Sequence, residues 1–295
     1  KQKPLLNKSI AGLYAPGSTL KLLTALHVLS DQNLNANKTF FCNGHVELGS
    51  HKFHCWKREG HGNINLFEAI KQSCDCYFYN LAKTIKINSL AKLCRKFSIG
   101  ELTEIDIPNE LRGIMPSTQW KKKRMGEKWH LGETFNTVIG QGFTLSTPLQ
   151  LSVMTARIAS GKKITPSILR NRNKIFDKMN ISEKDLSFIR ESMFAVVNEY
   201  KGTAFSSKLN SKHTMAGKTG TSQVRRISLS ERETGVLENK ELPYDLRDHS
   251  VFTCYAPYKN PKFALAVLVE HMGSGSKIAA PIAKNIMELT LKKYL

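Results

Sequence analysis

Three short, separated segments of the chain carry residues of the kinds that transfer acyl groups. The first contains Ser18 and Lys21, three residues apart at the start of an apolar run over Leu20–Leu29. Residues three apart on a helix share a face, so the lysine can approach the serine hydroxyl. A hydroxyl is a weak nucleophile until an adjacent base removes its proton, and a lysine held neutral by partial burial can be that base. The segment therefore predicts a serine nucleophile at a helix N-terminus with a lysine base.

The two other segments could complete such a site. Ser73 and Asp75 lie at the start of a second predicted helical run, and Lys218–Thr221 begins a strand-like stretch. The N–H of Ser18 at a helix N-terminus can bind a developing oxyanion. A serine three residues before a lysine occurs by chance in many chains, as a surface serine beside a solvated lysine. The three segments in this order are a much stronger signal of an acyl-transfer site.

The elements that must position these residues are helices in the first two thirds of the chain and strands after it. Helices are predicted over 18–31, 64–84, 89–98, 146–160, 183–200 and 279–295. Strands are predicted over 218–224, 249–256 and 262–271, and 225–247 is a polar excursion between strands. The stretch 40–62 is rich in Gly, His and Cys and is predicted to form loops or short strands.

Length and composition limit the classes of protein to consider. The chain has 295 residues, 41% of them hydrophobic, which is enough for one large domain or a domain with a subdomain. The formal net charge is +20, but the basic residues are scattered and the one tight cluster is Lys121–Arg124. We therefore predict no nucleic acid partner, and interpret the charge as a generally basic surface that could be attracted to anionic membrane and envelope polymers. No run reaches the roughly 18 apolar residues of a membrane span.

The ordered segments resemble the S-x-x-K, S-x-N and K-T-G motifs of penicillin-binding proteins and serine β-lactamases. Flanking residues narrow the resemblance to the transpeptidase domain of class B penicillin-binding proteins, and most closely to the penicillin-binding protein 2 branch that serves cell elongation. Asp75 stands where the wider superfamily usually has asparagine, a substitution that this branch often carries. The resembling segments span nearly the whole chain: Leu13–Lys21, Cys55–Gly62, Ser73–Tyr79, Ile139–Gly142, Thr147–Gln150 and Asp248–His249.

The resemblance implies a fold and a location. The fold is α+β, the penicillin-binding protein and serine β-lactamase type, with an antiparallel sheet flanked by helices and an all-helical subdomain. Residues 1–295 are then one transpeptidase domain that lacks its first strands, and the transmembrane anchor and pedestal domain of full-length relatives are absent from this chain. The implied location is the periplasmic face of the bacterial inner membrane.

The resemblance also implies a reaction on peptidoglycan stem peptides that end in D-Ala-D-Ala. Ser18 attacks the penultimate carbonyl, D-Ala leaves, and the amine of a second stem peptide resolves the acyl-enzyme into a crosslink. Lys21 is the base, Ser73 passes a proton to the leaving amine, and Asp75 orients Lys21 or the substrate amide. β-Lactam antibiotics are expected to acylate the same serine, and the RodA-type glycosyltransferase of the elongation complex is the expected protein partner.

The third motif is expected to bind the substrate. Lys218 and Thr219 would supply a cation and a hydroxyl for the terminal carboxylate of the substrate or of a β-lactam. Gly220 would leave room for the substrate backbone. The N–H of Thr221 would complete the oxyanion hole with that of Ser18, and the Lys218 strand would accept the extended peptide along its edge.

Four residues near the second motif form a candidate metal site. Cys42, Cys55, His61 and Cys74 are the three thiols and one imidazole of a closed tetrahedral zinc set, without a C-x-x-C pair. The spacing alone leaves a Cys42–Cys55 disulfide equally open. Relatives of the penicillin-binding protein 2 branch hold zinc close to the active site, which favours zinc, and no organic cofactor is expected. Three histidines in the same loop could each replace one of these ligands: His45, His51 and His54. The three remaining cysteines are interpreted as buried core thiols: Cys76, Cys94 and Cys254.

Rival functions share parts of this pattern. A β-lactamase needs a deacylation base, but the chain has neither an E-x-x-L-N nor a Y-G-N motif. A D,D-carboxypeptidase uses the same nucleophile and is disfavoured by the continuous resemblance alone. A β-lactam sensor domain would lack the cysteine segment around His61, and an inactive remnant stays open. Asp248 and His249 could form a charge-relay pair, but a Ser-Lys site needs none, so we interpret them as structural.

Overall fold

The computed structural model describes residues 5–31, 34–169, 174–225, 231, 237 and 239–295. Its main sheet has three antiparallel strands in the order β5-β6-β7, and β5 is one edge. Two further two-stranded antiparallel sheets, β1-β4 and the hairpin β2-β3, lie in the first third of the chain. The strands are β1 Phe40–Cys42, β2 His45–Leu48, β3 His51–His54, β4 Gly62–Ile64, β5 Ala216–Ser222, β6 His249–Ala256 and β7 Phe263–Val269.

Ten α-helices surround or precede this sheet in the described part of the chain. A 3₁₀ turn at Gly17–Thr19 leads into α2, and a π-helical turn at Gly275–Ala279 leads into the last helix. The helices are α1 Lys8–Ala11, α2 Lys21–Ser30, α3 Leu66–Lys71, α4 Asp75–Ala82, α5 Ile87–Lys96, α6 Thr118–Met125, α7 Leu131–Val138, α8 Pro148–Ser160, α9 Glu183–Asn198 and α10 Ala280–Tyr294. None of the described helices is long and apolar enough to cross a bilayer.

The core forms around α2, which is apolar on nearly all sides. Its residues from Lys21 to Val28 are all buried, as expected of a helix without a polar face. Helix α9 packs against β5 and α2, while α8 and α10 pack against β6 and β7. The nucleophile turn that precedes α2 is therefore held between the core and the sheet edge.

Most helices and strands predicted from the sequence are present in the structure, with one clear exception. The predicted helix over 64–84 is wrong as a single helix, because it is broken into α3 and α4 at Ser73. Ser73 has φ +57, and the N–H groups of Ser73 and Cys74 donate to the carbonyls of Ile70 and Ala69. This is a Schellman helix end, whose left-handed position usually carries glycine. The prediction that Ser73 and Asp75 lie at the start of a helical run agrees with the start of α4, but no glycine in the sequence marked the left-handed position.

Several other predictions are confirmed with small shifts of the boundaries. Helix α8 begins with a reciprocal capping box between Thr147 and Gln150, which explains that resembling segment as a structural motif. Strand β6 has the predicted bounds, and 40–62 is short-stranded as expected. The helices α1, α6 and α7 were not predicted. In the predicted polar excursion over 225–247, residues 226–230, 232–236 and 238 lie outside the described residues.

Candidate active site

Ser18 lies in a 3₁₀ turn rather than in the first turn of the α-helix. The sequence prediction that Ser18 begins the helix needs this correction, since α2 starts at Lys21. Gly17 adopts φ +54, and a Cβ there would lie 2.3 Å from the carbonyl oxygen of Thr221. The Gly17 N–H donates to the carbonyl of Gly140 at 2.9 Å. The turn is therefore pressed directly against the backbone of the third motif.

We expect Gly17→Ala to lower the rate constant of acylation at Ser18 by about 10²-fold, because the turn and Thr221 must separate by about 1 Å to admit a Cβ. Gly126→Ala is the matched control, since Gly126 has φ +76 but no atom within 4 Å of its Cβ position. Both variants carry the backbone cost of about 1–2 kcal/mol for a left-handed alanine. Acylation rates and urea unfolding curves of the two variants test this, and equal loss of acylation in both would contradict it.

Lys21 is completely buried and bonds to the second motif. Its Nζ donates to the Ser73 carbonyl at 2.8 Å, to the Ser73 Oγ at 3.3 Å and to Asp75 Oδ1 at 2.7 Å. In the described residues no hydrogen bond joins it to Ser18, although both residues lie at the entrance to α2 as predicted. Catalytic hydrogen bonds often tighten only when substrate is bound. Lys21 thus links the nucleophile segment to Ser73 and Asp75.

Each oxygen of the Asp75 carboxylate accepts a hydrogen bond from the protein. Oδ1 accepts from Lys21, and Oδ2 accepts the backbone N–H of Trp56 at 2.9 Å. Burial raises the pKa of Asp75, and the charge of Lys21 acts in the opposite direction. Of the two roles predicted for Asp75, this geometry fits orientation of Lys21 rather than a contact to the substrate amide.

Lys218 lies behind the cleft and not in its wall. Its side chain is fully buried, and its Nζ donates to the Thr219 carbonyl at 3.3 Å. Burial, followed by repulsion from Lys21, holds the pKa of Lys218 well below its ordinary value, although Asp75 attracts the charge. The Lys218 amine therefore lies behind Thr219, separate from the Lys21–Asp75 ion pair.

The free edge of β5 supplies backbone donors beside the nucleophile. Gln141 Nε2 donates to the Thr221 carbonyl at 2.8 Å, so that carbonyl points away from β6. The N–H and C=O of one residue in an antiparallel strand point to the same side, so the Thr221 N–H also lies on the free edge. It faces the turn that contains Ser18, as an oxyanion hole requires.

Gly220, which was predicted to leave room for the substrate backbone, also lies close to the nucleophile turn. A Cβ at Gly220 would lie 3.1 Å from both the Pro16 carbonyl oxygen and Thr19 Cγ2. Its small size therefore lets β5 approach the nucleophile turn, and this packing is the first thing a side chain would disturb.

These residues meet in one cleft of about 650 Å³. Among the predicted site residues, Ser18, Ser73, Asp75, Thr219, Gly220, Thr221 and Cys55 line it. Trp56, Gln141 and Thr203 also line it and were not singled out from the sequence. Trp56 and Gln141 fall inside segments of the resemblance, which is the signal that could have identified them, whereas Thr203 carried none.

The four predicted metal ligands converge next to the cleft. The ligand atoms of Cys42, Cys55, His61 and Cys74 all lie within 4.8 Å of one another. His61 Nδ1 is 3.5 Å from Cys42 Sγ and 3.6 Å from Cys55 Sγ. Tetrahedral zinc with ordinary Zn–S and Zn–N bonds places sulfur and nitrogen about 3.6 Å apart. The donor set and its spacing therefore fit a zinc ion.

Other thiols and imidazoles in the region have separate positions. Cys76 is buried, as its interpretation as a core thiol requires, and its thiol also forms a hydrogen bond with the Cys55 thiol. Hydrogen bonds from Cys74 and then Cys76 hold the pKa of the Cys55 thiol well below its ordinary range. Cys94 and Cys254 are buried, and burial raises the pKa of each thiol. All six cysteines are free thiols, and the histidines that could replace a ligand lie on the β2-β3 hairpin: His45, His51 and His54.

Asp248 and His249 have different partners. Asp248 Oδ1 accepts the N–H of Val224 at 3.2 Å, and His249 Nδ1 accepts the backbone N–H of His271 at 2.9 Å. Burial, followed by repulsion from His271, lowers the pKa of His249 to about 4. The His249 ring packs on Tyr14 at 5.3 Å between centroids. These bonds join neither side chain to the other, and Asp248 also lines the cleft.

Comparisons with known proteins agree with this fold. The family model "Penicillin binding protein transpeptidase domain" matches residues 1–288. The peptidoglycan D,D-transpeptidases MrdA of Acinetobacter baumannii and Salmonella typhimurium are 35% and 34% identical, over 95% and 98% of this chain. The chain spans only 43% and 48% of those two relatives.

Solved structures give the same result. PBP2 from Helicobacter pylori, in a complex with MreC, superposes with a TM-score of 0.88 at 39% identity, covering 99% of this chain and 52% of that one. PBP2 from Pseudomonas aeruginosa in complex with WCK 5153 gives 0.84 at 33% identity, covering 97% and 63%. The chain belongs to the family of penicillin binding protein transpeptidase domains. Within that family it matches the PBP2, or MrdA, type.

Proposed function

We propose that this chain is the catalytic part of a peptidoglycan D,D-transpeptidase that crosslinks stem peptides through a Ser18 acyl-enzyme during cell-wall elongation. The observation that carries the proposal is the position of Lys21. Its buried amine contacts both Ser73 and Asp75 directly behind the turn that presents Ser18 to the cleft. The names of the MrdA relatives support the reaction type.

In this reaction the Ser18 hydroxyl attacks the carbonyl between the two D-Ala residues. Lys21 acts as the base, because its amine contacts Ser73 and Asp75, whereas the Lys218 amine lies behind the strand and does not line the cleft. This base accepts the Ser18 proton, which passes to the amine of the departing D-Ala through Ser73. An amine of a second stem peptide then attacks the ester and gives its proton to the base, which passes it to the departing Ser18 oxygen and so restores the free hydroxyl.

The charge that develops on the substrate oxygen needs fixed donors. The backbone N–H groups of Ser18 and Thr221 take this role, since the free edge of β5 faces the nucleophile turn. The strand edge also pairs with the extended stem peptide, and the Thr219 hydroxyl contacts its terminal carboxylate.

Zinc is the metal that the four converged donors would hold, through Cys42, Cys55, His61 and Cys74. Its role there would be structural, because these four protein ligands would complete the coordination of a tetrahedral ion. The chain's own residues explain why this matters for catalysis. Cys74 lies between Ser73 and Asp75, and Cys55 precedes the Trp56 N–H that holds Asp75.

A location outside the cytoplasm and partners in the elongation machinery follow from the proposed reaction. A structure of Helicobacter pylori PBP2 is a complex with MreC, and another similar structure is described as a peptidoglycan synthase complex. We therefore propose an extracytoplasmic domain that works beside a RodA-type glycosyltransferase.

An exchange assay distinguishes this proposal from the rival enzymes. The purified chain is incubated with a pentapeptide ending in D-Ala-D-Ala and an isotopically labelled D-alanine, and products are followed by mass spectrometry. We expect the labelled residue to replace the terminal one, with a β-lactam blocking the exchange. Hydrolysis without exchange would indicate a carboxypeptidase, and rapid turnover of penicillin would indicate a β-lactamase.

A further inference from the structure

Thr203 contributes a hydroxyl to the cleft beside the third motif. Its Oγ1 lies 2.6 Å from the Thr219 Oγ1, a short hydrogen bond, and both residues line the cleft. Thr219 is buried and Thr203 is half-buried. Neither the nucleophile, the proton relay nor the metal donors use Thr203.

The backbone fixes Thr203 in this place. Gly202 precedes it in a turn so close to α9 that a Cβ would lie 2.4 Å from the Val196 carbonyl oxygen. The Thr203 N–H donates to the carbonyl of Lys71, the last residue of α3. The Lys71 amine in turn bonds to Glu68 and Glu199, which joins the ends of α3 and α9. Thr203 is therefore held between the helix that leads to Ser73 and the strand that carries Thr219.

Thr219 brings a hydroxyl of the third motif to the cleft, whereas the buried Lys218 amine does not line it. Arg58 and Lys277 also line the cleft and contribute positive charge. Thr219 and Thr221 are two apart on β5, so their side chains lie on the same face of the strand. A hydroxyl proton rotates freely unless a neighbour fixes it, and a hydroxyl that accepts a hydrogen bond donates its own proton more strongly.

We propose that Thr203 is a positioning residue for anion recognition: it donates to the Thr219 oxygen, so that the Thr219 proton points at the terminal carboxylate of a peptide or β-lactam. The inference rests on the proposed function, since it assumes acylation in this cleft. The turn after α9 would then contribute to substrate selection, although it contains none of the three sequence motifs.

Penicillin G and its methyl ester separate carboxylate recognition from the acylation chemistry. Acylation rate constants with both compounds are measured for the wild-type chain, Thr203→Val and Thr203→Ser, with Thr290→Val as the control for hydroxyl removal at an exposed site on α10. We expect Thr203→Val to lower the ratio of the acid rate constant to the ester rate constant by about tenfold. Thr203→Ser should restore the ratio, and Thr290→Val should leave it at the wild-type value.

Thr219→Val and the double variant Thr203→Val/Thr219→Val test whether the two hydroxyls act together. If Thr203 acts through Thr219, the double variant has the same acid-to-ester ratio as Thr219→Val alone. An unchanged ratio in Thr203→Val, equal losses with acid and ester, or independent effects in the double variant would each overturn the inference. A wild-type chain that neither compound acylates would overturn the proposed function and this inference with it.

Discussion

Replacing Lys21 with methionine is expected to lower the acylation rate constant by about 10²- to 10⁴-fold, the range for loss of a general base. The same change removes the buried partner of Asp75, whose Oδ1 accepts from the Lys21 amine at 2.7 Å. Breaking a buried ion pair on one side costs about 3–5 kcal/mol of unfolding free energy. Lys21→Met should therefore lose both activity and stability.

The double variant Lys21→Met/Asp75→Asn separates these two effects. Without the uncompensated carboxylate, it should recover most of the unfolding free energy measured in urea, because an asparagine can still accept the Trp56 N–H that Asp75 accepts now. Its acylation should stay as slow as that of Lys21→Met, and Asp75→Asn alone is the control. Near-wild-type acylation in either variant that lacks Lys21 would show that the base lies elsewhere.

The second large effect is expected from removing zinc. Metal analysis of the chain purified under reducing conditions should give one zinc per molecule. A chelator should lower the unfolding free energy by about 4 kcal/mol relative to protein with free zinc at a thousand times its Kd. The acylation rate constant should fall by about 10- to 100-fold. Without the metal, Cys74 no longer fixes Ser73, and Cys55 no longer fixes the Trp56 N–H that donates to Asp75.

Two cysteine variants make the zinc prediction specific. Cys74→Ser should lose the zinc and show the chelator phenotype without rescue by added metal. Cys94→Ser is the matched control, since Cys94 is a buried core thiol outside the ligand set and its variant should retain one zinc. Absence of zinc together with a Cys42–Cys55 disulfide, found by mass spectrometry without reductant, would contradict the metal assignment.

The candidate catalytic residues could be identified from the sequence because each motif combines reactive residue types with a fixed spacing between them. Ser18 and Lys21 stand in a short turn and the helix after it, and the alternation of β5 puts Lys218 and Thr219 on different sides of the strand. The four candidate metal donors were grouped from their residue types and from the family resemblance, because their spacing alone left a Cys42–Cys55 disulfide equally open. Their convergence across β1, β4 and the start of α4 needed the structure.

The contacts that could not be predicted are made by backbone groups or by residues with common roles. The break at Ser73 depends on a serine in a position that usually needs glycine. The Trp56 contact to Asp75 is a backbone N–H, which no side-chain pattern reveals. Thr203 reaches Thr219 only because α9 returns to the sheet edge, and no spacing in the sequence encodes that distance. Gly220 was predicted to leave room for the substrate backbone, and the structure adds a close approach to the nucleophile turn that no sequence pattern indicated.

Acylation of Ser18 is the central claim, and a fluorescent penicillin tests it most directly. The chain with zinc supplied and its Ser18→Ala variant are incubated with the probe, then compared by denaturing gel and intact mass. We expect a single stable adduct on the wild-type chain, with the mass of one penicillin, and none on Ser18→Ala. An adduct that persists in Ser18→Ala, or a folded wild-type chain that forms none, would contradict the assignment of this site.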